Sequence, residues 1–110
     1  MYSGQQALLD AIESDAPGLS VSIISAALEE EDREFVEKAC LRLSGHADEE
    51  VRGNAILGLG HLARLFGQLS STAIETVKRA LTDTSDYVRG QAHSAADDVG
   101  HFLGIDVAST

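Results

Sequence analysis

The sequence predicts an all-α protein of about six helices, arranged as three helical hairpins. The main reason is an internal repeat: the tripeptide VRG at residues 51–53 recurs at residues 88–90, an offset of 37 residues, and Ala55 recurs at the same offset as Ala92. Recurrence at a period of about 20 to 50 residues is typical of stacked helical units. The composition agrees, because 110 residues with 44% hydrophobic content, one proline and no tryptophan suit a single core of closely packed aliphatic helices.

The N-terminal part predicts two short helices. Ser3 and Gln6 stand at the spacing of a capping box, so the first helix is predicted to begin after Ser3 and to continue to about Ser14. The second helix is predicted over about residues 19–29, where apolar side chains are frequent.

Capping residues predict the starts of the third and fourth helices. Asp32 and Asp48 each precede apolar residues at helical spacing, and Gly67 is expected to end the fourth helix in a left-handed conformation. The fourth helix contains internal glycines, each costing about 0.8–1 kcal/mol relative to alanine. We therefore expect another helix to approach a flank formed by Gly53, Gly60 and Gly67. The apolar face of the fourth helix comprises Val51, Ala55, Ile56, Leu59, Leu62 and Phe66.

The last part of the chain predicts a third hairpin. Thr72 and Glu75 form a second capping-box pattern, which predicts the start of the fifth helix. Turn residues at 83–85 lead into the sixth helix. The tail, residues 105–110, is expected to be loosely held. The apolar side of the sixth helix comprises Val88, Ala92, Ala95, Ala96, Val99 and either Phe102 or Leu103.

These helices group into units within a single domain, residues 1–110. Residues 32–68 and 69–104 form two repeats of about 37 residues, and residues 1–31 form a divergent N-terminal unit. Terminal units of repeat proteins often depart from the consensus in this way. The predicted architecture is a short right-handed α-solenoid.

The stretch Leu81-x-Asp83-x-Ser85-Asp86-x-Val88-Arg89-x-x-Ala92 resembles the HEAT-repeat pattern, in which a turn aspartate precedes a Val-Arg pair and an alanine. The pattern returns, with one extra turn residue, at Leu43, Asp48, Val51, Arg52 and Ala55. The resemblance implies a fold that mostly binds other macromolecules. In HEAT repeats the turn aspartate and the arginine usually tie adjacent units together, so the resemblance implies structural roles for Asp48, Arg52, Asp86 and Arg89. Val51 and Val88 are the structural valines of the same pattern.

The charge balance limits the classes of partner. Eighteen acidic residues against eight basic ones give a net charge of −10, which disfavours nucleic acid and anionic membranes and favours a basic protein. The sequence has no apolar segment of about 20 residues and no N-terminal signal pattern. Its one cysteine has no internal partner, so we expect a cytoplasmic protein.

No residue constellation predicts catalysis, so we expect a protein that is not an enzyme and uses no metal or cofactor. His93, Asp97 and His101 follow one another at intervals of four residues, and histidine and aspartate are metal-ligand types. Three ligands spread over two turns of a straight helix cannot reach one ion, so a site would need a residue such as His61. Cys40 lies in mid-helix on an apolar stripe, where a structural role is expected.

The best candidate for a binding surface is a set of eight acidic residues around two connections. If these connections share an edge, they form one negative patch, although charge runs are often only solvated surface. The predicted partner-binding residues are Glu29, Glu30, Glu31, Asp32, Glu34, Glu37, Glu49 and Glu50.

The favoured function is an immunity protein that occludes the active site of a basic toxin, such as a nuclease. Residues 51–67 and 87–98 resemble small bacterial HEAT-like proteins, some of which serve in contact-dependent inhibition. The alternatives are a scaffold or regulatory subunit using the face of the fourth and sixth helices, and a metal-dependent enzyme. Self-association through an exposed repeat end is compatible with each of these.

Overall fold

The computed structural model describes residues 2–109, and within that range it contains six α-helices and no strand. The helices are α1 Gln5–Ser14, α2 Leu19–Glu29, α3 Arg33–Leu43, α4 Glu49–Phe66, α5 Ser71–Ala80 and α6 Asp86–Leu103. A short 3₁₀ helix, Val107–Ser109, follows α6. The prediction of an all-α protein with about six helices is confirmed.

Helix α4 is central, because it packs most extensively against α6 on one side and α2 on the other. Hydrogen bonds join the N-terminal turns of these three helices: Asn54 donates to the Ser20 carbonyl at 2.9 Å, and the Tyr87 hydroxyl donates to Asn54 at 2.5 Å. Further along, Gly58 of α4 faces Ala27 and Gly60 faces Ala95, so the three helices run parallel. Their N-terminal ends share one edge of the molecule, but α2, with 11 residues, ends about two turns before the 18-residue helices α4 and α6. Helices α1, α3 and α5 each pack against the helix that follows.

Two glycines let α6 approach α4 closely, as the sequence predicts. A Cβ atom on Gly60 would lie 2.7 Å from the Cα of Ala95, and one on Gly53 would lie 2.8 Å from the ring of Tyr87. The expectation for Gly67 is wrong in part, because a side chain there would meet open space. Its role is to end α4 with a φ of 64°. The repeat valines, Val51 and Val88, are both buried in the core.

The predicted aspartate caps are present. The side chain of Asp32 accepts a hydrogen bond from the Phe35 amide at 3.2 Å, and that of Asp48 accepts one from the Glu50 amide at 2.8 Å. Each bond satisfies a backbone donor that the first turn of a helix leaves without a partner.

Both predicted capping boxes are wrong. Helix α1 starts after Gly4, whose φ of 102° suits glycine rather than Ser3. Helix α5 is capped by Ser70 rather than Thr72, because the Ser70 hydroxyl accepts a hydrogen bond from the Ala73 amide at 3.1 Å. A long-range contact with α3 holds Ser70 in this position, and a local sequence pattern does not contain that information.

The expectation of a loosely held tail is also wrong. Val107 is buried in the core, and the 3₁₀ helix that contains it packs against α5 and α6. Thr110 lies outside the described residues. Across residues 2–109, none of the helices combines the length and the apolar character that crossing a membrane requires.

Candidate functional site

Seven of the eight acidic residues lie at opposite ends of α3, and the eighth, Glu37, lies within that helix. The acids of residues 29–34 belong to the end of α2, the connection to α3 and the first turn of α3, whereas Glu49 and Glu50 begin α4. Helix α3 has 11 residues, which corresponds to about 16 Å at 1.5 Å per residue. The two connections therefore do not share an edge, and their acidic residues do not form one continuous negative patch.

The first group, which we name the acidic connection, comprises Glu29, Glu30, Glu31, Asp32 and Glu34. Its conformation is fixed by Glu30, whose carboxylate accepts hydrogen bonds from the Tyr2 hydroxyl at 2.7 Å, the Gln5 amide at 3.2 Å and the Asp32 backbone amide at 2.8 Å. The hydrogen bond from Tyr2, followed by the one from Asp32, lowers the pKa of Glu30. The residue therefore keeps its negative charge to lower pH than an ordinary glutamate.

Glu37 does not belong to this surface, because only 4% of it is exposed. Its carboxylate pairs with the guanidinium of Arg33 and accepts hydrogen bonds from Ser70, through the hydroxyl and through the backbone amide at 3.3 Å. The pair joins the start of α3 to the cap of α5. Glu37 therefore binds Arg33, the one basic residue between Glu29 and Glu34. Arg33 approaches Glu34 only at 3.9 Å.

The second group of acidic residues connects neighbouring helices at the opposite edge. Glu49 accepts a hydrogen bond from the Ser85 hydroxyl at 2.6 Å, and Glu50 accepts one from the Ser20 hydroxyl at 3.2 Å. Ser85 is the N-cap of α6. These carboxylates therefore join the starts of α2, α4 and α6, and they do not extend the acidic connection.

The repeat arginines make contacts between and within units. Arg52 donates to both carboxylate oxygens of Asp83, at 3.0 and 2.9 Å, and to the His46 carbonyl at 3.0 Å. Arg89 donates to the Asp83 carbonyl at 2.7 Å and pairs with the exposed Asp86. The contact between the second and third hairpins thus uses Asp83, whereas Asp86 interacts within its own helix.

The histidine-containing set does not form a metal centre. Within the part of the chain that the structure describes, no three histidine, cysteine, aspartate or glutamate side chains are placed to hold one ion. His93, Asp97 and His101 instead line an open groove of about 630 Å³ between α6 and the C-terminal segment. His61 lies apart on α4, where partial burial and then the charge of Arg64 lower its pKa.

Cys40 is fully buried on α3. Burial, and then the negative charge of Glu37, raise the pKa of its thiol to about 12. A cysteine in this environment stays a neutral thiol at physiological pH and is not a nucleophile.

Four apolar side chains that the sequence does not single out as exposed lie near helix ends. They lie in the last turns of α2, α4 and α6: Leu28 is 47% exposed, Leu65 47%, Phe66 38% and Phe102 42%. Phe66 was expected on the buried face of α4, and Phe102 was one of two residues expected on that of α6. A sequence signal existed, because each residue lies at or next to a helix end, where covering neighbours are few.

Comparison with known proteins found no family model that matches the chain, and no significant match among curated proteins or solved structures.

Proposed function

We propose that this protein is a small HEAT-like α-solenoid that binds a basic protein partner. In its most specific form, the proposal is an immunity protein that covers the active site of a basic toxin, such as a nuclease. The protein itself performs no chemistry in this proposal. It acts by steric and electrostatic occlusion.

The acidic connection is the observation that carries the proposal. It places five carboxylates within six residues, and its one internal cation, Arg33, is paired with the buried Glu37. The bonds around Glu30 keep the connection ordered before any partner arrives, which reduces the entropy cost of binding. A negative surface of this kind complements the Lys and Arg residues that a nuclease uses to bind phosphates.

The mechanism predicts a fast association that weakens with added salt, because opposite charges steer the encounter. A stable complex requires about 1,200–2,000 Å² of buried surface. The acidic connection is too small to supply that area alone, so contacts must extend onto neighbouring helix ends.

A matched pair of charge reversals tests the proposal. The double variant Glu31→Lys with Glu34→Lys changes two exposed carboxylates that accept no hydrogen bond in the described structure. Glu75→Lys with Asp97→Lys makes the same change in net charge on α5 and α6. Both proteins should keep the circular dichroism spectrum of the unmodified protein.

The readout is affinity capture from the native cell, washed with increasing salt and analysed by mass spectrometry. We expect the unmodified protein and the α5/α6 variant to retain one basic protein, and the Glu31/Glu34 variant to lose it. That protein should then have an activity that the unmodified chain suppresses. Equal retention by both variants, or the absence of any basic partner, would refute the proposed role of the acidic connection.

A scaffold that binds through the face of α2, α4 and α6 is the second candidate. It is supported by the exposure of Val21 and Tyr87, which lie near the N-terminal ends of α2 and α6. In this case Val21→Ser should weaken capture more than the Glu31/Glu34 reversal does, and binding should vary little with salt.

A further inference from the structure

The third hairpin docks onto the first two turns of α4 through its turn and the start of α6. Two of the contacts involve charged groups: Arg52 pairs with Asp83 at 2.9 Å, and Glu49 accepts a hydrogen bond from the Ser85 hydroxyl at 2.6 Å. Asp83 precedes α6, and Ser85 is its N-cap. The hairpin is therefore received by a carboxylate and a guanidinium that lie three positions apart on α4.

Two further contacts complete this site on α4. The ring of Tyr87 lies over Gly53, where a Cβ atom would approach it to 2.8 Å. The Tyr87 hydroxyl donates a hydrogen bond to Asn54 at 2.5 Å, and Gln91 donates to the same amide oxygen at 3.0 Å. Gly53 is buried as a result, and glycine is required there because a side chain would displace the ring.

The same residue types recur on α6 at the repeat offset of 37 residues. The two arginines also share a contact, because Arg89 donates to the Asp83 carbonyl at 2.7 Å and Arg52 donates to the equivalent carbonyl at 3.0 Å. Helix α6 therefore presents a second copy of the site that on α4 receives a hairpin. We name the second copy the α6 docking site, and it comprises Asp86, Arg89, Gly90 and Gln91.

The side chains of the α6 docking site are more exposed than their equivalents on α4, since no hairpin lies against them within residues 2–109. The Asp86 side chain is 95% exposed, and that of Arg89 is 38% exposed against 17% for Arg52. Gly90 is exposed, and a Cβ atom there would meet nothing within 4 Å. A mid-helix glycine costs about 1 kcal/mol relative to alanine. No contact within the described part of the chain accounts for a glycine at this position.

The groove beside α6 limits the length of the site. His93 and Asp97 lie three and seven residues after Gly90, on the same side of the helix, and both line the groove of about 630 Å³. The α4 equivalent of Asp97 is Gly60, over which α6 packs closely. A carboxylate in place of that glycine prevents an equally close approach, so the site is confined to the first two turns of α6.

We propose that the α6 docking site binds a helical hairpin of a partner protein. The partner carries an aspartate in its turn, a hydroxyl residue two positions later at the helix cap, and a tyrosine two positions after that. Its aspartate pairs with Arg89, its hydroxyl donates to Asp86, and its ring lies over Gly90. This Asp-x-Ser-x-Tyr arrangement is the one that α4 receives at residues 83–87. The inference is independent of the acidic connection and of the proposed function.

Two other occupants do not fit this site. A second copy of the folded chain is excluded because its own Asp83 and Tyr87 are engaged with Arg52 and Gly53. A purely cationic segment is also disfavoured, since it would repel the guanidinium of Arg89.

The test uses the full chain and a fluorescently labelled synthetic peptide with the sequence of residues 69–104, which supplies a hairpin with the required turn. A second peptide carries Asp83→Ala and Tyr87→Ala. Binding is measured by fluorescence anisotropy, and amide chemical shifts of the isotope-labelled chain locate the contact. We expect the first peptide to bind with shifts centred on Arg89 and Gly90, and the second to bind at least about tenfold more weakly.

A pair of glycine substitutions in the full chain provides the matched control. Gly90→Leu blocks the α6 docking site, and Gly45→Leu makes the same change in the turn after α3; a Cβ atom at either position meets nothing within 4 Å. Both variants should keep the circular dichroism spectrum of the unmodified protein. Gly90→Leu should weaken binding of the first peptide at least about tenfold, whereas Gly45→Leu and the Glu31/Glu34 reversal should leave it unchanged.

A second measurement links the hairpin covalently, because a free peptide must also fold. In a chain with residues 69–104 repeated directly after residue 104, the added hairpin should dock on α6 and unfold with the rest of the protein in one urea transition. Gly90→Leu should then lower the urea midpoint. In the unmodified chain the same substitution should not lower it.

Three results would overturn the inference. The first is a set of peptide-induced shifts at Arg52 and Gly53, which would mean that the peptide replaces the chain's own third hairpin. The second is binding that survives Gly90→Leu. The third is the absence of peptide binding together with an added hairpin that unfolds independently. None of these results concerns the acidic connection, so the proposed function is tested separately.

Discussion

The guanidinium of Arg52 on α4 makes a bidentate hydrogen-bonded ion pair with the carboxylate of Asp83 in the turn before α6. Its Nε lies 3.0 Å from one carboxylate oxygen and its Nη2 lies 2.9 Å from the other. The two side chains are only 17% and 20% exposed. The remaining Nη1 donates to the carbonyl of His46. A single side chain thus joins the turn of the second hairpin to the turn of the third.

Asp83→Asn should destabilise the protein by about 1–3 kcal/mol, because it removes the charge from a partly buried, hydrogen-bonded ion pair. The free energy of unfolding in urea measures the change. Asp86→Asn is the matched control, since Asp86 has a 95% exposed side chain and pairs with Arg89 only within α6. That variant should lose less than about 0.5 kcal/mol. Equal losses of unfolding free energy would show that the Arg52–Asp83 contact stabilises the protein no more than the exposed Asp86–Arg89 pair does.

The same pair predicts a dependence of stability on pH. The hydrogen bond from Arg52 is the main cause that lowers the pKa of Asp83 below its ordinary value of 3.8. The stabilisation is therefore complete above pH 3.8 and is lost as the pH falls through the lower pKa of the folded state. The difference in unfolding free energy between the unmodified protein and Asp83→Asn should be constant near neutral pH and should shrink below pH 3.8. A difference that grows on acidification would contradict this assignment.

Two glycines in the paired helices predict opposite effects of the same substitution. Gly60→Ala would place a Cβ atom 2.7 Å from the Cα of Ala95, and overpacking against a backbone costs about 1–3 kcal/mol. Gly90 is the repeat equivalent of Gly53, but a Cβ atom there meets nothing within 4 Å. Gly90→Ala should therefore stabilise the protein by up to about 1 kcal/mol, the helix-propensity difference. Thermal unfolding followed by circular dichroism distinguishes the two variants, and stabilisation by Gly60→Ala would refute the close approach of α6 to α4.

Local features of the fold were predictable, and long-range ones were not. Asp48 and Gly67 lie at helix ends that side-chain chemistry and backbone conformation determine over a few residues, so the sequence identified both. Ser70 was missed because its position depends on Glu37, which lies 33 residues away. Asp83 stands in the repeat motif, but its contact with Arg52 was not predicted for the same reason, since the two residues are 31 positions apart.

The candidate site was predictable in composition but not in extent. The run of acids after α2 is visible in the sequence, and Glu37 was grouped with it because it follows closely in the chain. Its burial depends on Arg33 and Ser70. The separation of Glu49 from Glu29 could have been inferred, since a helix of α3's length lies between them. The exposed apolar side chains were missed because helical periodicity assigns a face and does not reveal where a neighbouring helix ends.

Tyr2→Phe tests whether the order of the acidic connection contributes to binding, because it leaves the net charge unchanged. The Tyr2 hydroxyl donates to Glu30, and this bond is the first cause of the lowered pKa of that carboxyl. Without it, the pKa of Glu30 should rise in a carbon-detected NMR titration. Affinity for the captured basic partner should fall roughly threefold to tenfold, since the connection must then be ordered during binding. Tyr87→Phe, which removes a hydroxyl at the opposite edge, should change neither quantity. A raised pKa with unchanged affinity would mean that charge acts without preorganisation, whereas an unchanged pKa would contradict the Tyr2–Glu30 contact itself.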